Sequence, residues 1–359
     1  MTRGWAPPIA AFLLHRLLLA AAAWASGVDP FSASSWVRWD SGHYLSIATS
    51  GYVLPSPCPP ESGYPPSAWC GNAAWFPGYP WVVAGLAHVG VPLVPAAVLV
   101  SALAQLGCLV LVWRLLDDER QWPALGLAAF FFGNVYLAAV FPMSLVLFAG
   151  LACIGACWRG RFGLAALAGA AAATCYPTAV LLGPVVLAWA VLHRRWRALS
   201  VPAAVAIGYG GVLLALQRQA GAWDAFFRVQ ARYGYTWDAL DTLGARLKGL
   251  VNPKYRDARS VVTGVQTALS TLLIATLAYQ GGKRALSERN SLVLLYLAAF
   301  WLAPLTTGGQ LSLYRSEVLL MPAVFLVPQL PRWFQLAAFA AAVLLSMPMA
   351  LLFFRGVLK

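Results

Sequence analysis

Charge is the first thing this sequence has little of. Asp, Glu, Lys and Arg make up 10% of its 359 residues, against 60% hydrophobic residues and a mean hydropathy of +0.70. A water-soluble domain is about half apolar and about a quarter charged, so that class is excluded. Acids are scarcer than bases, with 12 Asp and Glu against 25 Lys and Arg, and the 4 His are scattered. That leaves no Cys/His spacing for zinc and no carboxylate cluster for a hard cation, so neither a metal nor another cofactor is expected. There is no G-x-x-x-x-G-K-[ST] loop and no G-x-S-x-G elbow, which argues against an ATP-driven pump and a serine hydrolase. Heptads, short-period repeats and low-complexity tracts are missing too. No basic helix is interleaved with stacking aromatics, so the net charge of +13 does not point to nucleic acid. The cations sit in short clusters between apolar runs, where they set orientation and meet membrane lipid phosphate.

What is present is a recurrence of apolar segments of about 20 residues, each long enough to cross a hydrocarbon core. The expectation is one all-α, multi-pass integral membrane domain over residues 1–359. Segments at 7–26, 92–116, 123–140, 142–158, 201–217, 261–279, 292–306, 317–330 and 334–354 read as single crossings. Residues 163–192 read as two short helices broken at Tyr176-Pro177, for about eleven crossings in all. Residues 81–90 are too short to span and are expected along the membrane face. Ala23-Trp24-Ala25 fits a signal-peptidase site, but His15 and Arg16 interrupt the apolar run, so the first helix is expected to be retained. The three charge clusters at 114–120, 159–161 and 193–197 share one face, cytoplasmic by the positive-inside tendency, which puts the loop at 27–80 outside the cytoplasm. Alanine-rich stretches such as 165–174 suit close helix packing in lipid.

Cys108, Cys153, Cys157 and Cys175 lie inside apolar runs as small hydrophobes. Cys58 and Cys70 flank a Pro/Gly/Ser-rich loop; in an oxidising compartment they would form a disulfide, and otherwise they are two free thiols.

The 27–80 loop carries the candidate chemistry. Trp39-Asp40-Ser41-Gly42-His43-Tyr44 puts Asp40, His43 and Tyr44 on one helical face. Asp40 either caps the helix that follows or, partly desolvated by the tryptophans beside it, serves as a general base toward an alcohol. Arg38 is either its orienting partner or an interfacial anchor. Trp75-Phe76-Pro77-Gly78-Tyr79-Pro80 suits a rigid turn presenting aromatic faces, or an interfacial aromatic belt. Further along, Gly308 to Glu317 carries Gln310 and Arg315; Arg315 grips a phosphate bidentately, snorkels to the membrane surface or pairs with Glu317. A second loop, 218–259, holds eight Lys and Arg against Asp224, Asp238, Asp241 and Asp257, yet is placed outside the cytoplasm, which suits an anion-binding use.

The string Arg38-Trp39-Asp40-Ser41-Gly42-His43-Tyr44, with Ile47-Ala48, Gly51-Tyr52, Phe76-Pro77 and Tyr79-Pro80, resembles the first extracytoplasmic loop of the GPI-anchor second mannosyltransferase family and its bacterial relatives, within the GT-C superfamily. His15-Arg16, Ser312 and Arg315 are similar to that family as well. The resemblance implies a GT-C-like glycosyltransferase in a bacterial plasma membrane. It would move mannose or another hexose, with inversion, from a polyprenyl-phosphate-sugar donor to a hydroxyl on a glycan, lipid or protein acceptor. Asp40 would be the base, and Arg38, Trp39, His43, Tyr44, Trp75, Phe76, Tyr79, Arg315, Gln310, Arg16 and Arg232 the candidate substrate contacts. Two turns depart from the family pattern: Val140-Phe141-Pro142-Met143-Ser144 lacks the acid of relatives, and Thr174-Cys175-Tyr176-Pro177-Thr178 replaces a Thr-Arg-Pro-Thr turn. The competing class is a lipid or glycolipid transporter, which would show two related halves with interrupted helices.

Overall fold

The computed structural model describes residues 4–116, 121–234, 237–283, 287–307 and 313–358. Within them the chain is all-α apart from one short hairpin. In order it runs α1 (Ala6–Ala25), α2 (Ser41–Ser50), β1 (Ser56–Pro57), β2 (Trp69–Cys70), α3 (Gly78–His88), α4 (Leu93–Leu115), α5 (Trp122–Ala129), α6 (Val135–Ala138) and α7 (Met143–Trp158). Then follow α8 (Phe162–Cys175), α9 (Leu182–Leu192), α10 (Ser200–Ala220), α11 (Ala225–Gln230), α12 (Ala239–Val251), α13 (Ala258–Lys283), α14 (Glu288–Thr306), α15 (Leu313–Ser316) and α16 (Arg332–Phe354).

Six of these, α1, α4, α10, α13, α14 and α16, are long and apolar enough to cross a membrane. Their outer faces carry large apolar side chains that water would penalise, among them Leu17 (66% exposed), Ile207 (74%) and Leu344 (76%). Together these features describe a helical membrane-embedded protein. The apolar helices α7 and α8, and the segment Pro177–Leu192, are shorter than 18 residues. α1 packs against α4 and α16, so the first helix is a wall of the bundle.

Two expected crossings are not continuous helices. Residues 123–140 form α5, then a turn at Gly133 with φ of 77°, then the single turn of α6. A Cβ at Gly133 would meet the backbone carbonyl of Tyr314 at 2.7 Å, so the break lets the chain pass close under α15. Residues 317–330 form 3-10 turns over Glu317–Phe325 and Val327–Gln329, with Pro322 inside the first, and nearly all of this segment is buried by surrounding helices.

The break at Tyr176-Pro177 is present. Tyr176 is extended (φ -156°, ψ 138°), as the residue before a proline prefers, and a 3-10 turn over Pro177–Leu181 leads into α9. The alanine-rich α8 packs closely on α10: a Cβ at Gly208 would sit 2.6 Å from the Ala170 carbonyl oxygen. β1 and β2 pair antiparallel, Ser56 opposite Cys70, and the Cys58–Cys70 disulfide closes the loop between them. The segment expected at 81–90 is α3, which packs on α2, α4 and α8.

Candidate functional site

Asp40 stands at the start of α2, but its side chain makes no capping hydrogen bond. The turn is tied instead by Ser41, whose backbone N–H donates to the Arg38 carbonyl at 2.9 Å while its hydroxyl accepts from the Arg38 N–H at 3.0 Å. Trp39, between them, has a φ of 40°, a left-handed conformation that costs a non-glycine residue about 1–3 kcal/mol and persists only where surroundings enforce it. Here they do. The Trp39 ring meets Phe353 edge-on at 5.8 Å, the Trp36 ring meets Phe354 at 5.2 Å, and the Val140 N–H donates to the Trp36 carbonyl at 3.1 Å. The carboxylate is thereby freed from the helix end and turned toward another partner.

That partner is Arg315 of α15. Its guanidinium donates a short charge-assisted hydrogen bond to Asp40 Oδ2. Arg315 lies over the rings of Tyr136 (5.9 Å) and Phe141 (5.6 Å), both buried, which fix it from behind. The Arg315 side chain is 11% exposed and that of Asp40 26%, so the pair opens to solvent on the carboxylate side. Arg315 pairs with Asp40, not with Glu317. Glu317 is buried and accepts a hydrogen bond from the Gln266 amide at 2.5 Å. Nor does a bare tryptophan wall surround Asp40; a cation sits on it.

Beside this pair, His43 stacks flat on Trp75, ring centroids 3.6 Å apart and 12° from parallel. Trp75 is held by its backbone: the Tyr52 hydroxyl donates to its carbonyl at 2.8 Å. Next to it, the Gln230 amide donates to the Ala74 carbonyl at 3.3 Å. Asn72 ties the two ends of the loop, donating to Ser46 Oγ (3.1 Å) and the Gly51 carbonyl (3.0 Å) and accepting from the Val53 N–H (3.0 Å). Arg232, from the basic loop, reaches over the Tyr64, Tyr233 and Trp75 rings and donates to Cys70 Sγ at 3.2 Å. Burial lowers the pKa of His43; Asp40 opposes that shift and Arg232 adds to it, so His43 is held toward its neutral form.

Other sequence candidates fall elsewhere. Tyr44, Phe76 and Tyr79 are buried core side chains. Tyr44 packs edge-on to Tyr79 and Phe141, Phe76 packs on Phe226 and Tyr209, and the Tyr79 hydroxyl meets the Ala97 carbonyl (2.9 Å) and Ser101 Oγ (3.1 Å). They support the floor of the site and do not line it. The Arg38 guanidinium donates to the carbonyls of Val37 and Phe354, fastening the turn to the end of α16. Arg16 lies over Phe12 and Trp36, and its neighbour His15 is bonded to Gln105 at 2.8 Å. Gln310 and Ser312 fall outside the described residues.

Sequence reasoning named Tyr52 only within the family-like string and missed Asn72 and Gln219, whose amide oxygen accepts from the Tyr52 N–H at 2.9 Å. Gly51, with φ of 71°, is the one available signal: a Cβ there would meet Gln219 Oε1 at 2.7 Å. Among the described residues no group of three or more His, Cys, Asp or Glu converges as a metal site. The arrangement supplies a proton acceptor fixed by a cation, an aromatic platform with a polar edge, and a second cation across it. No family model matches the chain, and a search of curated proteins finds no match.

Proposed function

We propose that the chain is an inverting membrane glycosyltransferase. It moves mannose or another hexose from a polyprenyl-phosphate-sugar donor to an acceptor hydroxyl on the extracytoplasmic side. The observation that carries this reading is the state of the Asp40 carboxylate, which is spent on no helix cap, is held by Arg315 and is open on its other side. In the transfer, Asp40 takes the proton of the acceptor hydroxyl as that oxygen bonds to the anomeric carbon. The bond from that carbon to the phosphate oxygen breaks on the opposite face, and its electron pair leaves with the lipid phosphate.

The His43–Trp75 stack provides a flat surface of the kind that sugar rings cover, and Arg232 brings positive charge toward the leaving phosphate. Arg315 then acts through Asp40, as a positioning residue, in place of the phosphate grip expected for it from sequence. The phosphate has little need of a metal where a guanidinium stands ready.

The test uses membranes holding the full chain, incubated with radiolabelled polyprenyl-phosphate-mannose. Labelled product is expected from the wild type, and none above background from Asp40→Asn at equal protein level. Transfer retained in Asp40→Asn removes the base; movement of the labelled lipid across the bilayer without a new glycoside favours a transporter instead.

A further inference from the structure

A second site lies apart from Asp40, between α12 and the start of α13. Here a cavity of about 350 Å³ is lined by Arg246, Asp257, Arg259, Ser260 and Thr263, with Val357 closing one side. Two guanidiniums against a single carboxylate leave the cavity lining with an excess of positive charge, although Asp257 attracts Arg259. Asp257 accepts from the Ser260 N–H at 2.9 Å through Oδ1 and from the Ser260 hydroxyl at 2.7 Å through Oδ2. Neither Arg246 nor Arg259 forms an ion pair among the described residues, and Arg246 Nε is buried without a hydrogen-bond partner.

The placement is also costly. Arg259 is the second residue of α13, where the helix dipole disfavours a cation. The buried Glu317 attracts Arg246 only at longer range, since no contact within ion-pair distance joins them and Gln266 donates to that carboxylate, while the Arg246 guanidinium lies over the Tyr314 ring at 5.8 Å. A half-buried cation that lines a cavity and keeps an unpartnered Nε is an arrangement a bound anion completes.

The surroundings indicate where such an anion comes from. Before α12 and at its two ends, Trp237 (71% exposed), Leu240 (80%) and Val251 (78%) turn apolar side chains outward, and Lys248 and Lys254 are exposed between and beyond them. A helix with that division lies in the headgroup region of a membrane.

We infer that the cavity between α12 and α13 binds a phosphate group through Arg246 and Arg259. The binding uses no residue of the Asp40 centre, and it stands whether or not sugar transfer occurs there. Phosphate could reach it on a lipid headgroup or free in solution, and two ligands separate these sources.

The experiment titrates the purified full chain in neutral detergent with dihexanoyl phosphatidic acid and, separately, with inorganic phosphate, read by calorimetry. Saturable binding that weakens about tenfold or more in Arg259→Gln and in Arg246→Gln is expected. Arg256→Gln, whose side chain is exposed outside the cavity, should leave it unchanged. Tighter binding of the lipid than of inorganic phosphate assigns a headgroup site; equal affinity assigns free phosphate. If Arg246→Gln does not fold, Arg259→Gln decides alone. No saturable binding of either ligand, or equal affinity in wild type and Arg259→Gln, overturns the inference.

Discussion

Cutting the link between Asp40 and Arg315 is the most searching perturbation the structure suggests. A fully exposed pair contributes at most about 1 kcal/mol, whereas breaking a buried one costs about 3–5 kcal/mol. The side chains here are 26% and 11% exposed, so the pair lies nearer the buried limit. Arg315→Gln leaves the part-buried carboxylate without its ion-pair partner, at a cost of about 2–3 kcal/mol. Asp40→Asn strands the guanidinium over the Tyr136 and Phe141 rings at a similar cost. In the double variant both charges are gone, so the combined loss should fall short of the sum of the single losses by about 2 kcal/mol. Unfolding of all four proteins in mixed detergent micelles measures this coupling. Sugar transfer adds a second reading: Asp40→Asn should lose at least about 10²-fold, and Arg315→Lys should recover part of what Arg315→Gln loses. Additivity within about 0.5 kcal/mol would refute the ion pair as the element that fixes the carboxylate.

Tyr79→Phe removes a hydroxyl bonded to Ala97 and Ser101 in the core; it should cost about 1–3 kcal/mol in detergent unfolding and leave the donor KM unchanged, which separates packing from substrate contact. Because the folded-state pKa of His43 lies below its unfolded value of 6.5, the unfolded chain binds the extra proton first as pH falls. Stability contributed by neutral His43 is therefore full above about pH 6.5 and lost below it. His43→Phe should flatten that part of the stability profile between pH 7 and pH 5. Reducing Cys58–Cys70, which are 12 residues apart in sequence, should lower the stability of the loop by about 3 kcal/mol. Thiol reagents added before reduction should leave both sulfurs unlabelled.

How far the sequence could be read depends on which forces are local. Hydropathy located the bundle because each crossing satisfies its own backbone, and Tyr176-Pro177 marked a break through the chemistry of proline itself. The interruption at Gly133 lay hidden, since an apolar run looks alike whether it is one helix or two turned around a glycine. The 3-10 path of Glu317–Phe325 was hidden for a similar reason: Pro322 was visible, but the buried setting that tolerates it was not. At the site, Asp40 stood out because a carboxylate is rare in so apolar a chain. Arg315 stood out too, but its pairing with Asp40, 275 positions away, did not, and the nearer acid Glu317 was the obvious but wrong partner. Aromatic residues carry the same ambiguity. Nothing in Tyr44, Phe76 or Tyr79 tells a core ring from a platform, whereas His43 on Trp75 is visible only once α2 and the loop are brought together.

The tie between the Trp39 turn and the end of α16 has a consequence for biosynthesis. Phe353 and Phe354 hold that turn in shape, and the Phe354 carbonyl receives Arg38, so the turn waits for helpers made 316 positions later. During synthesis the loop leaves the ribosome early and stays unset while the intervening helices enter the bilayer. Its left-handed tryptophan settles only when α16 arrives, so the carboxylate is not fixed in place before that helix is made.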